Sequence, residues 1–303
     1  MKIVVSGSTG LIGAALVEAL RRRHDKVVPL VRRRPASAEA AIAWDPERGS
    51  IDRAGVEGAN AVIHLAGENV FGRWSPAKKQ RIRDSRVMGT RLLADALAGL
   101  SRRPATLLSA SAIGYYGDRG AEELTEQSAP GDDFLAHVAR DWEAATTPAT
   151  RAGIRVVNMR IGVVLTPAGG ALAKMLPAFR LGVGGPVGSG NQYVSWIALL
   201  DIVNAMLHVL AHDDLSGPVN LTAPTPVPNR ELAKTLGKVL GRPAIVTVPA
   251  FALRLAFGPD GAAMLQSGQR VLPARLVASG FRFSLPTLEP ALRYLLAARE
   301  GGR

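Results

Sequence analysis

At its start the chain reads as a short apolar run, Lys2-Ile3-Val4-Val5-Ser6, that breaks into Gly7-Ser8-Thr9-Gly10-Leu11-Ile12-Gly13. Leu11, Ile12, Ala15, Leu16, Ala19 and Leu20 then recur at helical spacing as far as Arg23. A strand feeding a glycine-rich turn and then a helix permits few folds, because the next strand has to return parallel to the first. Each glycine has a use in such a turn. Gly7 makes the tight bend, Gly10 lets backbone approach a pyrophosphate, and Gly13 allows close packing of helix on strand. Ser8, Thr9, Leu11 and Ile12 complete the loop, whose free N–H groups suit an anion. The glycine pattern alone also fits an ordinary βα turn; its place between strand and helix favours a dinucleotide.

The end of the next strand selects among dinucleotides. Lys26 to Val31 is a second β-type run, followed by Arg32-Arg33-Arg34. An acidic residue there would bond the ribose 2′-hydroxyl of NAD and repel a 2′-phosphate. Arg32 and Arg33 offer guanidinium forks to that phosphate instead, so the expected cofactor is NADP(H). A solvated basic turn is the competing reading.

Further strands are expected at 59–65, 105–109 and 154–159, and helices at 75–100 and 134–149, the first marked by Ser75 and Pro76 as N-cap and first helical residue. Apolar strands alternating with helices imply an α/β protein with a doubly wound parallel sheet, the dinucleotide at the switch between strands one and four. After about Leu165 glycine-rich loops separate helices at 171–182, 201–211, 229–240, 250–257 and 287–298. We therefore expect a Rossmann domain over 1–165, with a smaller, closely packed C-terminal substrate lobe over 166–303. The boundary is soft, the chain is free to cross it, and a small C-terminal unit starts near 250.

Composition narrows the classes. In 303 residues, 47% hydrophobic and 20% charged, there is material for a large core and no global disorder. No run approaches the ~18 apolar residues of a membrane helix and no signal peptide is visible, so no membrane contact and a cytoplasmic location are expected. Absence of cysteine excludes disulfides and thiolate metal sites. His208 and His212 are one helical turn apart but lack a third ligand, so no metal is expected. The net charge of +12 concentrates in residues 1–110, with 19 basic and 10 acidic side chains. No aromatics interleave with the basic runs, so an anionic small molecule fits better than specific nucleic-acid binding. Oligomeric state is not readable.

The residues resemble the extended short-chain dehydrogenase/reductase superfamily, in an atypical form. The likeness rests on the loop Ser6–Gly13, on His64-Leu65-Ala66-Gly67, on Ser109-Ala110-Ser111-Ala112-Ile113-Gly114-Tyr115-Tyr116-Gly117 and on Trp196-Ile197-Ala198-Leu199-Leu200-Asp201. More closely, the chain is similar to the "epimerase family protein" group, through Asp141-Trp142-Glu143, Arg160-Ile161-Gly162-Val163-Val164-Leu165, Gly169-Gly170-Ala171-Leu172 and Ser267-Gly268-Gln269-Arg270. The last stretch lies in a C-terminal domain of unknown function typical of that group. The resemblance implies cofactor contacts from Leu65, Ala66, Gly67 and Ser109 beside the glycine loop; Glu68 is a candidate base or nicotinamide contact, or else a solvated loop carboxylate, and Arg160 a candidate contact to cofactor or substrate anions, or else a packing or salt-bridge residue.

The superfamily's Tyr-x-x-x-Lys dyad is missing. Four residues after Tyr115, Tyr116, Tyr193 and Tyr294 stand Arg119, Gly120, Ile197 and Ala298, and the matching positions hold Leu135 and Ala139. Arg86 likewise replaces a usual Asn. Ser111 falls at the position of the catalytic serine, or else satisfies a strand end. Tyr115 and Tyr116 are the candidate proton donors, with core packing as the alternative. A phenol without a nearby lysine donates a proton better than it accepts one, which favours reduction. Two functions stay open: an NADP-dependent oxidoreductase or epimerase-like enzyme for a small carbonyl or sugar-like substrate, anionic ones included, or a non-catalytic NADP(H)-binding sensor or interaction protein.

Overall fold

The computed structural model describes residues 1–32 and 41–297. Eight strands form one sheet: β1 Lys2–Ser6, β2 Lys26–Val31, β3 Ile42–Asp45, β4 Ser50–Ile51, β5 Ala61–His64, β6 Thr106–Ala112, β7 Arg155–Ile161 and β8 Gly217–Leu221. Their order across the sheet is β8-β7-β6-β5-β1-β2-β3-β4. All neighbours are parallel except β3 and β4. Counting parallel strands, β5 is the fourth. The order therefore reverses between strands one and four, where an α/β sheet opens a crevice at its carboxyl edge.

The helices follow the local chemistry. In α1, Leu11–Arg22, the residues Leu16, Val17 and Leu20 face the sheet. α2, Pro76–Ala98, begins at Ser75, whose hydroxyl accepts the Lys78 N–H at 3.2 Å, with Pro76 at the first position. α3, Phe134–Ala144, is capped by Asp133, which accepts the Ala136 N–H at 2.8 Å. The expected helix at 134–149 is broken there. A separate turn of helix, Thr147–Arg151, follows with Pro148 at its start, the position proline tolerates. α4 Gly170–Arg180, α5 Leu199–Ala211, α6 Asn229–Leu240, α7 Ala250–Gln266 and α8 Leu288–Ala297 complete the chain. α7 runs past the expected end at 257, kinked at Gly258 (φ 74°) ahead of Pro259.

Two apolar layers sandwich the sheet. One joins Leu16, Leu20, Ile202 and Met206 from α1 and α5 to Ile3, Val5 and Met159. The other joins Leu93 and Leu97 of α2 to Val4, Val62, Leu107 and Trp44. A third cluster unites α4, α6 and α8 around Trp196. The chain crosses between the two halves, since α5 and β8, from the expected second segment, cover and extend the sheet of the first. Among the described residues no helix is long and apolar enough to cross a membrane.

Glycine is required where α1 meets β1. A Cβ on Gly13 would overlap the Gly7 carbonyl oxygen. Gly13→Ala is therefore expected to lower stability by about 1–3 kcal/mol, the usual cost of overpacking a closed contact. Urea unfolding of the variant against the parent measures it; an unchanged midpoint would show that α1 does not lock onto the loop.

Candidate functional site

The carboxyl edge of the sheet is organised around Ser6. Its Oγ accepts the N–H of Leu65 at 3.1 Å and of Ala66 at 3.3 Å, and it lies 2.6 Å from His64 Nδ1. With its lone pairs so used, the Ser6 hydroxyl donates to Nδ1, and Nε2 carries the ring hydrogen. Trp44 meets the imidazole edge to face, centroids 5.6 Å apart. His64 is fully buried, and burial pushes its pKa down to about 4. The clamp holds Leu65-Ala66-Gly67 against the glycine loop so closely that a Cβ on Gly7 would stand 2.8 Å from the Leu65 carbonyl carbon. Gly7 also has φ 67°, which L side chains rarely adopt. Gly10 caps α1 without a side-chain hydrogen bond, and the first turn has no acid. The N–H groups there, with Ser8 and Thr9 beside them, face the crevice edge as a positive helix end.

Ser111, one residue before the end of β6, belongs to a second cluster. Its hydroxyl donates to Glu143 Oε1 at 2.7 Å. Arg160, opposite Ser111 in β7, grips the same carboxylate with Nε at 2.8 Å and Nη2 at 2.9 Å. Arg160 Nη1 donates to the Tyr116 oxygen at 2.9 Å, and the Tyr116 hydroxyl donates to Asn220 Oδ1 at 2.7 Å. Asn220 Nδ2 reaches the Leu272 carbonyl at 2.9 Å. Tyr115, half-buried, lays its ring on the Arg160 guanidinium, 3.4 Å from centroid to Cζ. Burial acts against the Arg160 charge, but the hydrogen bonds to Glu143 more than offset it, and its pKa lies above the ordinary value.

The two clusters bring together Gly7–Gly13, Leu65–Gly67, Ser109 and Ser111 along one edge; Ser6, His64 and Ser109 stand in register on neighbouring strands. Arg32 is exposed just beyond β2, and Arg33 lies outside the described residues. Three expectations need correction. Tyr116 is fully buried, and burial pushes its phenol up to about 12, so this hydroxyl belongs to the frame and does not reach a ligand. Arg160 is 3% exposed with its donors turned to Glu143, Tyr116 and the Glu126 carbonyl, which is the salt-bridge alternative to a cofactor contact. Glu68 is paired with Lys78 at 2.6 Å, and this hydrogen bond lowers its pKa, which makes it a poor base. Leu135 lines a cavity of about 280 Å³ with Trp74, Phe134 and Met264, while Ala139 is buried in α3.

Glu143 is the residue that sequence reasoning passed over. The signal was a carboxylate in a helix otherwise packed by Val138, Ala139 and Trp142, with an arginine in a buried strand as its natural partner. Arg86, also overlooked as a site residue, packs beside Gly67. It donates to the Glu68 carbonyl at 3.0 Å, and burial lowers its pKa to about 10.

A doubly wound sheet with this loop at its switch point is a Rossmann-type NAD(P)-binding architecture. The sequence profile of the NAD dependent epimerase/dehydratase family matches residues 3–221, and that of a Domain of unknown function (DUF1731) matches 248–295. Epimerase family protein Mb2239 of Mycobacterium bovis is 45% identical over 293 residues, 96% of each chain. Epimerase family protein SDR39U1 of Homo sapiens is 37% identical over 302 residues, covering 98% of this chain and 100% of the relative. The crystal structure of human epimerase family protein SDR39U1 (isoform2) with NADPH matches at TM-score 0.91 and 35% identity, over 98% of this chain and 99% of that one. The chain belongs to the NAD dependent epimerase/dehydratase family, as its motifs implied.

The buried imidazole gives the site a pH signature. Unfolded, His64 titrates near 6.5; folded, near 4. The unfolded chain takes up its proton first as pH falls. The full contribution of neutral His64 is therefore present above pH 6.5 and is lost as pH drops from 6.5 to 4, about 3 kcal/mol in all. Urea unfolding at pH 7.5 and pH 4.5 should show the parent losing about 2–3 kcal/mol more than His64→Asn. Equal losses would mean that the imidazole is not held neutral.

Proposed function

We propose that the chain binds NADP(H) across the carboxyl edge of the sheet and reduces a small carbonyl compound docked beside Ser111. The observation that carries the reading is the α1 N-terminus, free of side-chain cap and acid, set against Gly7 with Arg32 exposed at the end of β2. Gly7 to Gly13 would hold the pyrophosphate, Arg32 and Arg33 the 2′-phosphate, and Leu65 to Gly67 with Ser109 the inner half of the cofactor. NADPH, when bound, supplies a hydride.

The chain's own part is to orient the substrate and deliver a proton. The Ser111 hydrogen is committed to Glu143, which Arg160 also grips, so what Ser111, buried at 2% exposure, has left for a docked substrate is an oxygen lone pair. Ser111 then accepts a hydrogen bond, from a substrate hydroxyl or an amide, and is not the group that donates to a carbonyl. Tyr115 is the phenol left to do so: its ring is fixed on Arg160, and no partner for its hydroxyl occurs among the described residues. The cavity beside Leu135 is lined by Asp118, Asp133 and Asp260 as well as by aromatic rings. That lining favours a neutral substrate over the anionic one that net charge suggested.

One observation favours a second reading. With Leu135 and Ala139 in place of the dyad and Tyr116 withdrawn, the protein is suited to hold NADP(H) without turnover, as a sensor or interaction protein.

Fluorescence titration should give tighter binding of NADPH than NADH, with the preference lost in Arg32→Asp; equal affinities in the parent would remove the 2′-phosphate assignment. Following NADPH absorbance across aldehydes, ketones, quinones and keto-sugars separates the two readings. Turnover should fall about 10²-fold in Tyr115→Phe. Activity that survives this change would discard Tyr115 as donor, and no turnover on the whole panel would favour the sensor.

A further inference from the structure

One face of the C-terminal half leaves large apolar side chains in water. Leu181 is 78% exposed, Ile245 82%, Phe251 74% and Leu255 77%, with Val183 and Val246 beside them in the chain also exposed. The segments are joined. The Val246 N–H donates to the Gly184 carbonyl at 3.2 Å and the Val248 N–H to the Pro186 carbonyl at 2.9 Å. α7 then starts two residues on, at Ala250. Phe251 and Leu255 share one side of it, four residues apart, while Leu253 turns inward at 5% exposure.

The charges on this face are of one sign. Arg180 adjoins Leu181, Arg242 precedes Pro243 and Arg254 precedes Leu255; all three are exposed. The chain has no carboxylate between Glu143 and Asp201, nor between Glu231 and Asp260. A soluble face normally mixes both signs and keeps its apolar patches small. Exposed aromatic and aliphatic side chains among arginines alone match the boundary of an anionic bilayer. A second copy is a poor occupant, because a two-fold contact sets the same patch, arginines included, against itself.

We propose that this face seats the protein on an anionic phospholipid surface. Phe251, Leu255, Leu181 and Ile245 enter the acyl boundary, and Arg180, Arg242 and Arg254 lie at the headgroups. Such a peripheral contact needs no spanning helix. It also revises the expectation of no membrane contact, which rested on the lack of long apolar runs. Beyond its kink, α7 continues to Ala263 and Met264, which line the cavity beside Leu135, so one helix serves both the docked face and the cavity.

The test is sedimentation of the full chain with vesicles of phosphatidylcholine alone and of phosphatidylcholine mixed with phosphatidylserine. Binding is expected to the mixed vesicles only, weakening as salt rises. Each of Arg180→Gln, Arg242→Gln and Arg254→Gln should lower affinity about fivefold. Because a net charge of +12 draws any basic surface to these vesicles, Phe251→Ser with Leu255→Ser is the deciding variant. It should lose about tenfold or more at unchanged charge. The residues are exposed, so the variants should keep the parent's thermal melt. A variant that melts early is replaced by Phe251→Ala with Leu255→Ala, read against the same expectation. Failure to bind mixed vesicles, equal binding to both kinds, or binding unaffected by the apolar substitutions overturns the proposal. So does self-association, seen by sedimentation velocity, that the same substitutions abolish.

Discussion

Arg160 and Glu143 are opposite charges held at the carboxyl edge of the sheet with side chains 3% and 12% exposed, where removing either leaves the other in a poor medium for a lone charge. Loss of one member of such a pair typically costs about 3–5 kcal/mol. The pair persists because its remaining polar atoms are met by neighbours. Ser111 donates to the carboxylate, and Tyr116 and the Glu126 carbonyl accept from Nη1 of the guanidinium. The network spans distant parts of the chain. Ser111 comes from β6, Arg160 from β7, Glu143 from α3 and Asn220 from β8. Asn220 in turn fixes Leu272, and Glu126 accepts the backbone N–H groups of Asn220 at 3.0 Å and Arg275 at 3.2 Å. The register of the C-terminal segment on the sheet is therefore tied to one ion pair.

This arrangement explains how the edge tolerates losing its usual tyrosine and lysine. A lysine at position 139 would be a third charge to satisfy; Ala139 is 3% exposed and asks nothing of its surroundings. Leu135 packs its Cβ 3.3 Å from where Gly114 would carry one, so an apolar side chain now holds the loop bearing Tyr115 and Tyr116 against α3. The loop after β6 is stiffened from below by Arg160. Tyr116 supplies the stiffness and Tyr115 the exposed edge, a division of labour between adjacent residues that their types alone do not disclose.

What the sequence disclosed was local. Glycine spacing, the Ser75-Pro76 start and the β-branched runs of β1 and β2 act within a few residues, so the loop, the switch point and the doubly wound fold were legible. β3 escaped notice because four residues, Ile42–Asp45, give too short a pattern. β8 escaped because Gly217-Pro218 reads as a turn, although Pro218 sits in a strand with only one sheet neighbour, where a missing donor is tolerated. The Tyr116–Asn220 bond joins residues 104 apart, and no periodicity registers it. Net charge is blind to distant contacts for the same reason. Part of the basic excess in the first 110 residues is engaged by carboxylates from beyond them: Arg83 by Asp141 and Lys79 by Asp260.

The glycine loop and the cavity beside Leu135 thus differ in what specifies them. At the first, backbone does the work: positive φ at Gly7, contact of Gly13 with the loop, and N–H groups at a helix end leave little choice of residue. At the second, walls come from the α2 approach (Trp74), from α3 (Phe134, Leu135) and from the second half of α7 (Met264), with the Asp133 carboxylate partly spent on capping and Asp260 on Lys79. None of these walls is itself a member of the Arg160 network, although Leu135 packs on the loop that carries Tyr116. The glycine geometry fixes the loop and leaves the chemistry open, so the proposed reaction hangs on Ser111, Glu143 and Tyr115 and not on the glycines.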